Sequence, residues 1–437
     1  MASRTVLGGP EGTGGYAPAI AAARAHHSSV AARVGALRSG RAAFALVGVA
    51  LFVLVAGANL ATPLYAVYRD RFGFSSVVLT LVFATYQLVL CPSLIVFGQL
   101  SDRIGRRPVV AGGLAVAMVG LALFALAATT AWLFAARAVQ GLAVGAASGA
   151  ATAALVELAP KGAAARAALV STLAQAGGSA AGPLIGGALA EWAPAPRTTS
   201  FVVGLVTTGV VLAGVLAVPR MPAGTGGRWR VQRPDVPAEI RAAFARFALT
   251  AAAAWAVAGL YLSVVPSYAG SLLDTSNLAL EGAITATMLL ASCAAQIVVR
   301  GSGSPARDQS VGLALVIVGL IALVAAFPAH SLALVLAAAL LGGVGHGMAF
   351  LGAQSDLNAI APPDRRGEVT SAFFVCIYLG VAVSAIGVGL VATLASLETA
   401  VAVFAVVTGA ASVVAIAWHV AVARERMGFR SSESGER

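Results

Sequence analysis

Twelve long apolar segments, separated by short polar connections, set the strongest limit on how this chain can fold. A helix that crosses the hydrocarbon core of a bilayer needs about 20 mainly apolar residues, and each segment is long enough. Charged residues make up only 10% of the 437 residues, which is far below the share in soluble globular proteins. We therefore expect an all-α membrane protein with transmembrane helices at 44–66, 77–99, 109–128, 131–156, 167–190, 199–219, 247–268, 278–299, 309–327, 331–354, 369–394 and 399–421.

One connection, 220–246, is longer than the others and divides the segments into six and six. Its several Pro and Gly residues are typical of a linker. The stretches Gly141–Pro160 and Gly343–Pro362 resemble each other, since each is a glycine-rich helix that ends in Ala-Pro. We expect two pseudo-symmetric six-helix bundles, 44–219 and 247–421, with tails at 1–43 and 422–437. A cavity between two such halves is the architecture of a secondary transporter.

The net charge of +11 could indicate a nucleic-acid partner, but the basic residues follow a topological pattern instead. Most of the 28 Lys and Arg residues lie in the tails and in the even-numbered loops. The other loops contain only Arg69, Arg71 and Arg197. Because basic loops stay on the cytoplasmic side, we expect both termini in the cytoplasm, a location in the cytoplasmic membrane and no nucleic-acid partner.

No residue pattern indicates a metal, nucleotide or catalytic site. The three cysteines lie in apolar segments, without the spacing of metal ligands or of a disulfide framework. The glycines at 9–15 lack the Lys-Ser/Thr of a phosphate loop, and those at 343–347 miss the dinucleotide spacing. We expect no cofactor, no metal and no enzyme activity. An ATP-driven pump would need a partner chain for its nucleotide domain, and we expect a monomer.

The densest charged connection follows the second segment. There, Gly98 allows two helices to approach closely, and Gly105 allows a tight turn. The stretch resembles the cytoplasmic signature of the major facilitator superfamily, G-x-L-x-D-x-x-G-R-[RK], which is matched by Gly98, Leu100, Asp102, Gly105, Arg106 and Arg107.

This resemblance extends over the chain from about Phe44 to the last segment and implies the major facilitator fold. It implies that Asp102 accepts hydrogen bonds at the start of helix 11, near Gly367–Thr370, and that Arg106 pairs with Glu157. These contacts would close the cytoplasmic side when the cavity faces out. The alternative is that the charges only hold the loop in the cytoplasm. In the second half, Arg300–Ser310 keeps the loop position but has lost most of the charges.

Two further motifs lie within segments. Arg137, with Gln140 and Gly141, is similar to the superfamily's second signature. A charged residue inside a span usually faces a polar interior, although Arg137 could also snorkel to the interface. A third motif resembles the G-x-x-x-G-P-x-x-G-G signature of drug:proton antiporters, where ordinary small-residue packing explains the glycines but not their order with proline. Its residues are Gly178, Gly182, Pro183, Gly186 and Gly187.

Polar and aromatic residues within the segments are candidates for the cavity wall. Aromatic side chains with few fixed charges suit an amphiphilic organic substrate, organic cations included. The candidates are Asn59, Tyr65, Tyr86, Gln87, Gln140, Gln175, Trp255, Tyr261, Gln296, Phe373, Phe374 and Tyr378.

The acidic residues fall almost entirely in loops and tails, so the proton site is hard to identify. His346, deep in segment ten, and Asp356, near its cytoplasmic end, are the candidates. The alternative for His346 is a neutral packing residue.

Together, these features predict a proton-driven exporter of small organic molecules that works by alternating access. Its partners would be substrate, protons and the lipid bilayer. An uptake symporter or facilitator is the first alternative, favoured by the lack of a carboxylate in the middle of helix 1 or 7. A membrane sensor that does not transport is a second alternative, disfavoured by the short tails.

Overall fold

The computed structural model of the chain describes residues 40–98, 100–160, 162–218, 233–301 and 303–435, with side chains up to Glu425. Within these ranges the chain is helical and contains no strand. A spanning segment in lipid must satisfy its own backbone hydrogen bonds, which explains why each apolar stretch forms a helix. Residues 1–39 of the expected tail, residue 219 at the end of the sixth expected segment and 220–232 of the expected linker lie outside the described residues.

Twelve long helices follow one another along the described residues, as the sequence predicts. They are α1 (Gly40–Phe72), α2 (Ser76–Phe97), α3 (Arg106–Ala125), α4 (Thr130–Leu158), α5 (Ala164–Trp192), α6 (Pro196–Ala217), α7 (Arg241–Ser263), α8 (Leu278–Val298), α9 (Pro305–Ala326), α10 (Leu332–Ile360), α11 (Arg366–Leu394) and α12 (Leu397–Gly435).

Eleven of these helices are long and apolar enough to cross a membrane. The remaining one, α5, has 29 residues but a larger share of Gly, Ser and Gln. The all-α membrane fold is therefore confirmed. Several helices run past the predicted spans because helical hydrogen bonding continues beyond the apolar stretch. The clearest case is α12, which extends through 422–435, where the sequence suggested a tail.

Both α1 and α7 are interrupted near the same end. In α1, a turn of 3₁₀-helix at Thr62–Leu64 separates residues 40–59 from Tyr65–Phe72. In α7, a second piece at Val265–Leu273 follows Ser263. Pro63 and Pro266 lie at the two breaks, where a residue without a backbone N–H cannot continue the hydrogen-bond ladder. The two halves thus place the same irregularity at equivalent positions.

Glycine contacts show the same repetition. A Cβ on Gly145 of α4 would lie 2.7 Å from the carbonyl oxygen of Leu90 in α2. On α10, Gly347 meets the carbonyl of Ser292 in α8 in the same way. Because such close approach is possible only without side chains, α4 packs on α2 as α10 packs on α8. The pseudo-symmetric halves expected from the sequence are confirmed.

The halves meet along two helix pairs, α2 with α11 and α5 with α8. We call the side of the bundle that carries Gly40 the terminal side, and the other the opposite side. On the opposite side, the Leu278 N–H donates to Glu191 Oε2 at 2.9 Å, and the Val77 N–H donates to Thr393 Oγ1 at 3.0 Å. We call this contact region of the two pairs the seam. It closes the opposite side between the halves.

Candidate substrate cavity and its gates

A cavity of about 230 Å³ lies between the two halves, and we call it the central cavity. Helices α1, α2, α4 and α5 contribute to it from the first half, and α7, α8, α10 and α11 from the second. Toward the terminal side its wall includes Ser148, Thr172 and Gln354. The predicted cavity residues that line it are Asn59, Tyr86, Gln87, Gln175, Trp255, Gln296, Phe374 and Tyr378.

Three of the aromatic candidates lie elsewhere. Tyr65, Tyr261 and Phe373 are fully buried in apolar clusters between neighbouring helices. An aromatic side chain in a span packs as well against a neighbouring helix as against a cavity, and helix orientation is needed to tell the two apart. Gln140 also lies off the central cavity, because its Nε2 donates to the Gly57 carbonyl in α1 at 3.2 Å.

Arg137 lies in the wall of the central cavity and does not snorkel to the interface. Only 2% of the residue is exposed. Its Nη1 donates to the Ala58 carbonyl at 2.8 Å and to Gln140 Oε1 at 3.1 Å. Its guanidinium carbon lies 4.4 Å from the centre of the Tyr86 ring, a cation–π distance. Gly141, which completes the motif, lets α4 approach the Tyr86 backbone closely.

His346 lies in the wall contributed by the second half. The residue is 4% exposed, and its Nδ1 is 2.6 Å from Ser292 Oγ. Its Nε2 has no hydrogen-bond partner. Trp255 meets the imidazole edge-on with ring centres 5.2 Å apart, and the Nε1 of Trp255 also lacks a partner. Two unpaired ring nitrogens therefore belong to one aromatic wall.

Asp356, the second proton candidate, lies near the terminal-side end of α10 and outside the lining of the central cavity. Its Oδ2 accepts a hydrogen bond from Gln309 Nε2 of α9 at 2.7 Å. The structure therefore places His346 and Asp356 in different surroundings.

A charged network occupies the loop between α2 and α3. Arg106 Nη2 lies 2.7 Å from Glu157 Oε1, at the end of α4, and Arg106 Nη1 lies 2.5 Å from Asp102 Oδ1. The turn itself is made by Gly105 at a φ of 95°, where side chains are strained. Arg107 donates to the Leu216 carbonyl of α6. Gly98 and Leu100, the first two residues of the motif, lie at the end of α2 and the start of a short helix.

The expected bond between Asp102 and helix 11 is absent from this conformation. Within the described part of the chain, no hydrogen bond joins Asp102 to Gly367–Thr370, and its side chain is 53% exposed. Its carboxylate is engaged by Arg106 on the same loop instead. At the start of α11, Arg365 pairs with Glu368 Oε2 at 2.8 Å and with Asp235. The hydrogen bond from Arg365 holds the pKa of the Asp235 carboxyl below its usual range.

The glycines of α5 build two different contacts. A Cβ on Gly178 or Gly182 would lie 2.6 Å from a backbone carbonyl oxygen of α1, and Gly186 continues this face against Leu60. The neighbouring glycine, Gly187, instead meets the Leu278 carbonyl of α8 across the seam. Also across the seam, the Pro183 carbonyl contacts Gly282 of α8. Through Gly187 and Pro183, the α5 motif thus supplies part of the first-half surface of the seam, while its other glycines face α1.

Sequence reasoning missed a buried carboxylate on the opposite side. Glu281, in the first turn of α8, is 4% exposed and its Oε2 has no hydrogen-bond partner. It borders a pocket of about 480 Å³ that also includes Arg69, Asp70 and Asp274, and we call this the opposite-side pocket. The sequence signal for this site was an acidic residue one turn inside an apolar segment. Hydropathy does not show that Glu281 is buried, because the residue lies close to the loop that precedes α8.

Comparisons with known proteins agree with this architecture. The family model described as Major Facilitator Superfamily matches residues 46–305 and 306–437. No curated protein sequence matches the chain. Three solved structures illustrate the shared fold. A variant of the nucleoside transporter NupG is 12% identical, with a TM-score of 0.68 over 87% of this chain and 99% of the other.

The second is a POT family transporter in complex with 5-aminolevulinic acid, 13% identical, with a TM-score of 0.73 over 88% of this chain and 96% of the other. The third is the human organic anion transporter MFSD10 (TETRAN), 16% identical, with a TM-score of 0.62 over 86% and 99%. At these identities the likeness shows the fold alone, because one fold serves many substrates.

Proposed function

Because the chain belongs to the major facilitator superfamily, we propose that it exports small organic molecules across the cytoplasmic membrane in exchange for protons. The observation that carries this proposal is the α5 motif, which has the antiporter-like order of glycines and proline and contacts α8 at the seam through Pro183 and Gly187. Ordinary small-residue packing needs no proline beside Gly182. Here the Pro183 carbonyl contacts Gly282 of the other half.

The central cavity suits the loading step of such an exporter. Its wall extends to Ser148, Thr172 and Gln354, while the opposite side is closed by the seam. If both termini are cytoplasmic, as the distribution of Lys and Arg favours, this conformation faces the cytoplasm. Cargo would enter from the cytoplasm, the seam would then open, and the terminal side would close by rocking of the two halves.

The terminal-side network is suited to act as a latch. Arg106 joins the loop after α2 to the end of α4 through Glu157. In the outward-facing state the start of α11 would approach this loop, and Asp102 would exchange its partner on the loop for the N-terminal amides of α11. The dipole of a helix N-terminus favours such an anion.

His346 and Asp356 are the candidates for carrying the proton. His346 borders the central cavity, so binding of cargo there and loss of a proton from the imidazole would compete directly. Asp356 would act at a distance from the cavity. An imidazole is suited to this exchange because it can both accept and release a proton.

An uptake symporter or facilitator remains the second candidate. One observation favours it, since the described lining of the central cavity contains no carboxylate that could titrate there. Expression in an efflux-deficient host distinguishes the two functions. An exporter raises resistance to some compounds in a toxic panel, whereas an uptake protein raises sensitivity to its own substrates. Resistance that persists after collapse of the pH gradient would argue against antiport.

A further inference from the structure

The central cavity has an unbalanced charge. Among the described residues that line it, Arg137 is the only one with a fixed charge, and the lining contains no Asp or Glu. The partners of Arg137 are neutral, namely the Ala58 carbonyl, the Gln140 amide and the Tyr86 ring. A buried charge without a counter-ion attracts the opposite charge strongly, because little water screens it. The cavity wall is therefore electropositive.

The same wall holds several hydrogen-bonding atoms without partners. They are Arg137 Nε and Gln87 Oε1 in the first half, and Trp255 Nε1 and His346 Nε2 in the second. Buried polar atoms are normally paired, so these atoms are available to a ligand. Rings of Tyr86, Trp255, Phe350, Phe374 and Tyr378 surround them.

We propose that the cargo is an aromatic organic anion, held with its negative group toward Arg137 and its ring against Trp255 and its neighbours. This proposal rests on the proposed function, since it names the substrate class of that exporter. It narrows the expectation from the sequence, which included organic cations. A cation in this cavity would be placed near Arg137 with no carboxylate in the wall to balance the repulsion.

The test is binding of three ligands that share one ring system and differ in charge. Naphthaleneacetate is an anion, naphthaleneacetamide is neutral and naphthylethylammonium is a cation. Titration calorimetry on the full chain in nanodiscs needs no ion gradient, so its outcome is separate from that of the transport assays. The anion should bind at least about tenfold more tightly than the cation, as expected for one charge-assisted contact.

Two variants link this preference to the cavity. Arg137→Gln should reduce the affinity for the anion to that for the amide, whereas the matched control Arg166→Gln, outside the cavity, should keep the preference. Gln87→Glu adds a carboxylate to the cavity wall and keeps Arg137 in place. It should weaken binding of the anion by a similar factor. Equal or tighter binding of the cation to the wild-type chain, absence of anion binding, or an unchanged preference in both Arg137→Gln and Gln87→Glu would overturn the proposal.

A second inference rests on Glu281, outside the central cavity. Glu281 precedes Gly282, which meets the Pro183 carbonyl of the other half at the seam. Its unpaired Oε2 is buried next to the opposite-side pocket, which residues of both halves line. The charged groups around it are Arg69 and Asp70 of α1, Glu191 of α5 and Asp274 after α7. An unpaired carboxylate is costly to bury in its charged form.

We infer that Glu281 is a proton-binding site on the opposite side, and that its charge state is coupled to closure of the seam. With the seam closed, the neutral acid fits the buried site. Once the seam opens, water reaches the carboxylate and it can ionise. A ligand that binds one of two conformations better shifts the equilibrium toward it, so the proton favours the closed seam. The coupling does not depend on which cargo is carried.

Spin labels on Trp192 and Leu394, exposed residues of the two halves on the opposite side, measure seam opening by pulsed electron resonance. The three native cysteines are first replaced by Ser. The distance between the labels should increase from acidic to alkaline pH in the otherwise wild-type chain. Glu281→Gln, which mimics the neutral acid, should keep the short distance at every pH, whereas the exposed control Glu398→Gln should retain the response. The inference would be overturned if the distance between the labels did not change with pH in the wild type, or if it changed as much in Glu281→Gln as in the wild type.

Discussion

Two arginines of this protein differ in the charge of their partners, and Arg137 has only neutral ones. Its guanidinium is buried against a carbonyl, an amide and an aromatic ring. This set neutralises none of its charge, so the field of Arg137 reaches the cavity. Arg106 differs, because it pairs with two carboxylates, those of Asp102 and Glu157, on the terminal side. The first residue is suited to recognise cargo and the second to hold two helices together.

Loss of one carboxylate from the Arg106 network should change the balance between conformations. Asp102→Asn removes the anion that the outward-facing state would use at the start of α11, and we expect a several-fold shift toward the inward-facing state. In the present conformation Arg106 keeps Glu157 when Asp102 is neutral, so the larger loss is that of the anion at the N-terminus of α11, which contributes on the order of 1 kcal/mol and corresponds to such a shift. Labelling of a cysteine introduced in the central cavity, with reagent added from the cytoplasmic side, measures the effect. Asp364→Asn, exposed on the same side, is the control. Equal labelling in wild type and Asp102→Asn would contradict the proposed role of Asp102 in closing the terminal side.

Removal of the imidazole should uncouple cargo from protons. His346→Ala is expected to abolish substrate-driven proton movement in proteoliposomes, because the described lining of the central cavity would then contain neither an imidazole nor a carboxylate. His346→Gln should do the same while a polar group still faces Ser292, so that cargo binding persists. Proton movement is followed with a pH-sensitive dye inside the liposomes. Normal coupling in both variants would exclude His346 as the carrier.

At the scale of helices, α5 shows how a pattern of small residues becomes a gate. One of its faces packs on α1 within the same half, and Gly187 with Pro183 faces α8 in the other half. Contacts between backbones leave no flexible side chain to absorb an added atom. The seam is therefore sensitive to single methyl groups, whereas the exposed faces of the same helices are not.

Gly282→Ala tests this sensitivity. Its added Cβ would overlap the Pro183 carbonyl, so the closed seam should be destabilised and the opposite side should open. A cysteine at Asn59 should then react at least several-fold faster with an impermeant maleimide added on the opposite side. Gly149→Ala, on α4 with no atom near the added Cβ, should leave the rate unchanged. A rate in Gly282→Ala equal to that control would show that the seam does not depend on this contact.

Hydropathy and motif order predict the helices and their grouping well, because both follow from local composition. The orientation of side chains is harder, since Tyr86 and Tyr261 look alike in the sequence while one borders the cavity and the other packs in a core. The burial of Glu281 follows from tertiary contacts such as that of its Oε1 with Gly270 in the piece after α7, which no local pattern contains. The breaks at Pro63 and Pro266 could have been expected from proline chemistry alone.

For the whole molecule, two halves of similar architecture serve different purposes. The first half carries the intact charged loop, the buried Arg137 and the α5 motif. The second half contributes His346, Trp255 and Glu281. Alternating access requires a cavity between the halves with closure on one side at a time, and the structure has the opposite side closed. The proposed cycle couples export of cargo to protons through groups that lie on both sides of that cavity.

The most direct test of this cycle is transport in everted membrane vesicles from an efflux-deficient host. A compound to which the protein confers resistance is added outside, with an imposed gradient that makes the lumen acidic. The account predicts accumulation in the lumen that a protonophore abolishes and that is missing from vesicles without the protein. Accumulation that is equally fast without a gradient, or only when the lumen is alkaline, would contradict proton-driven export.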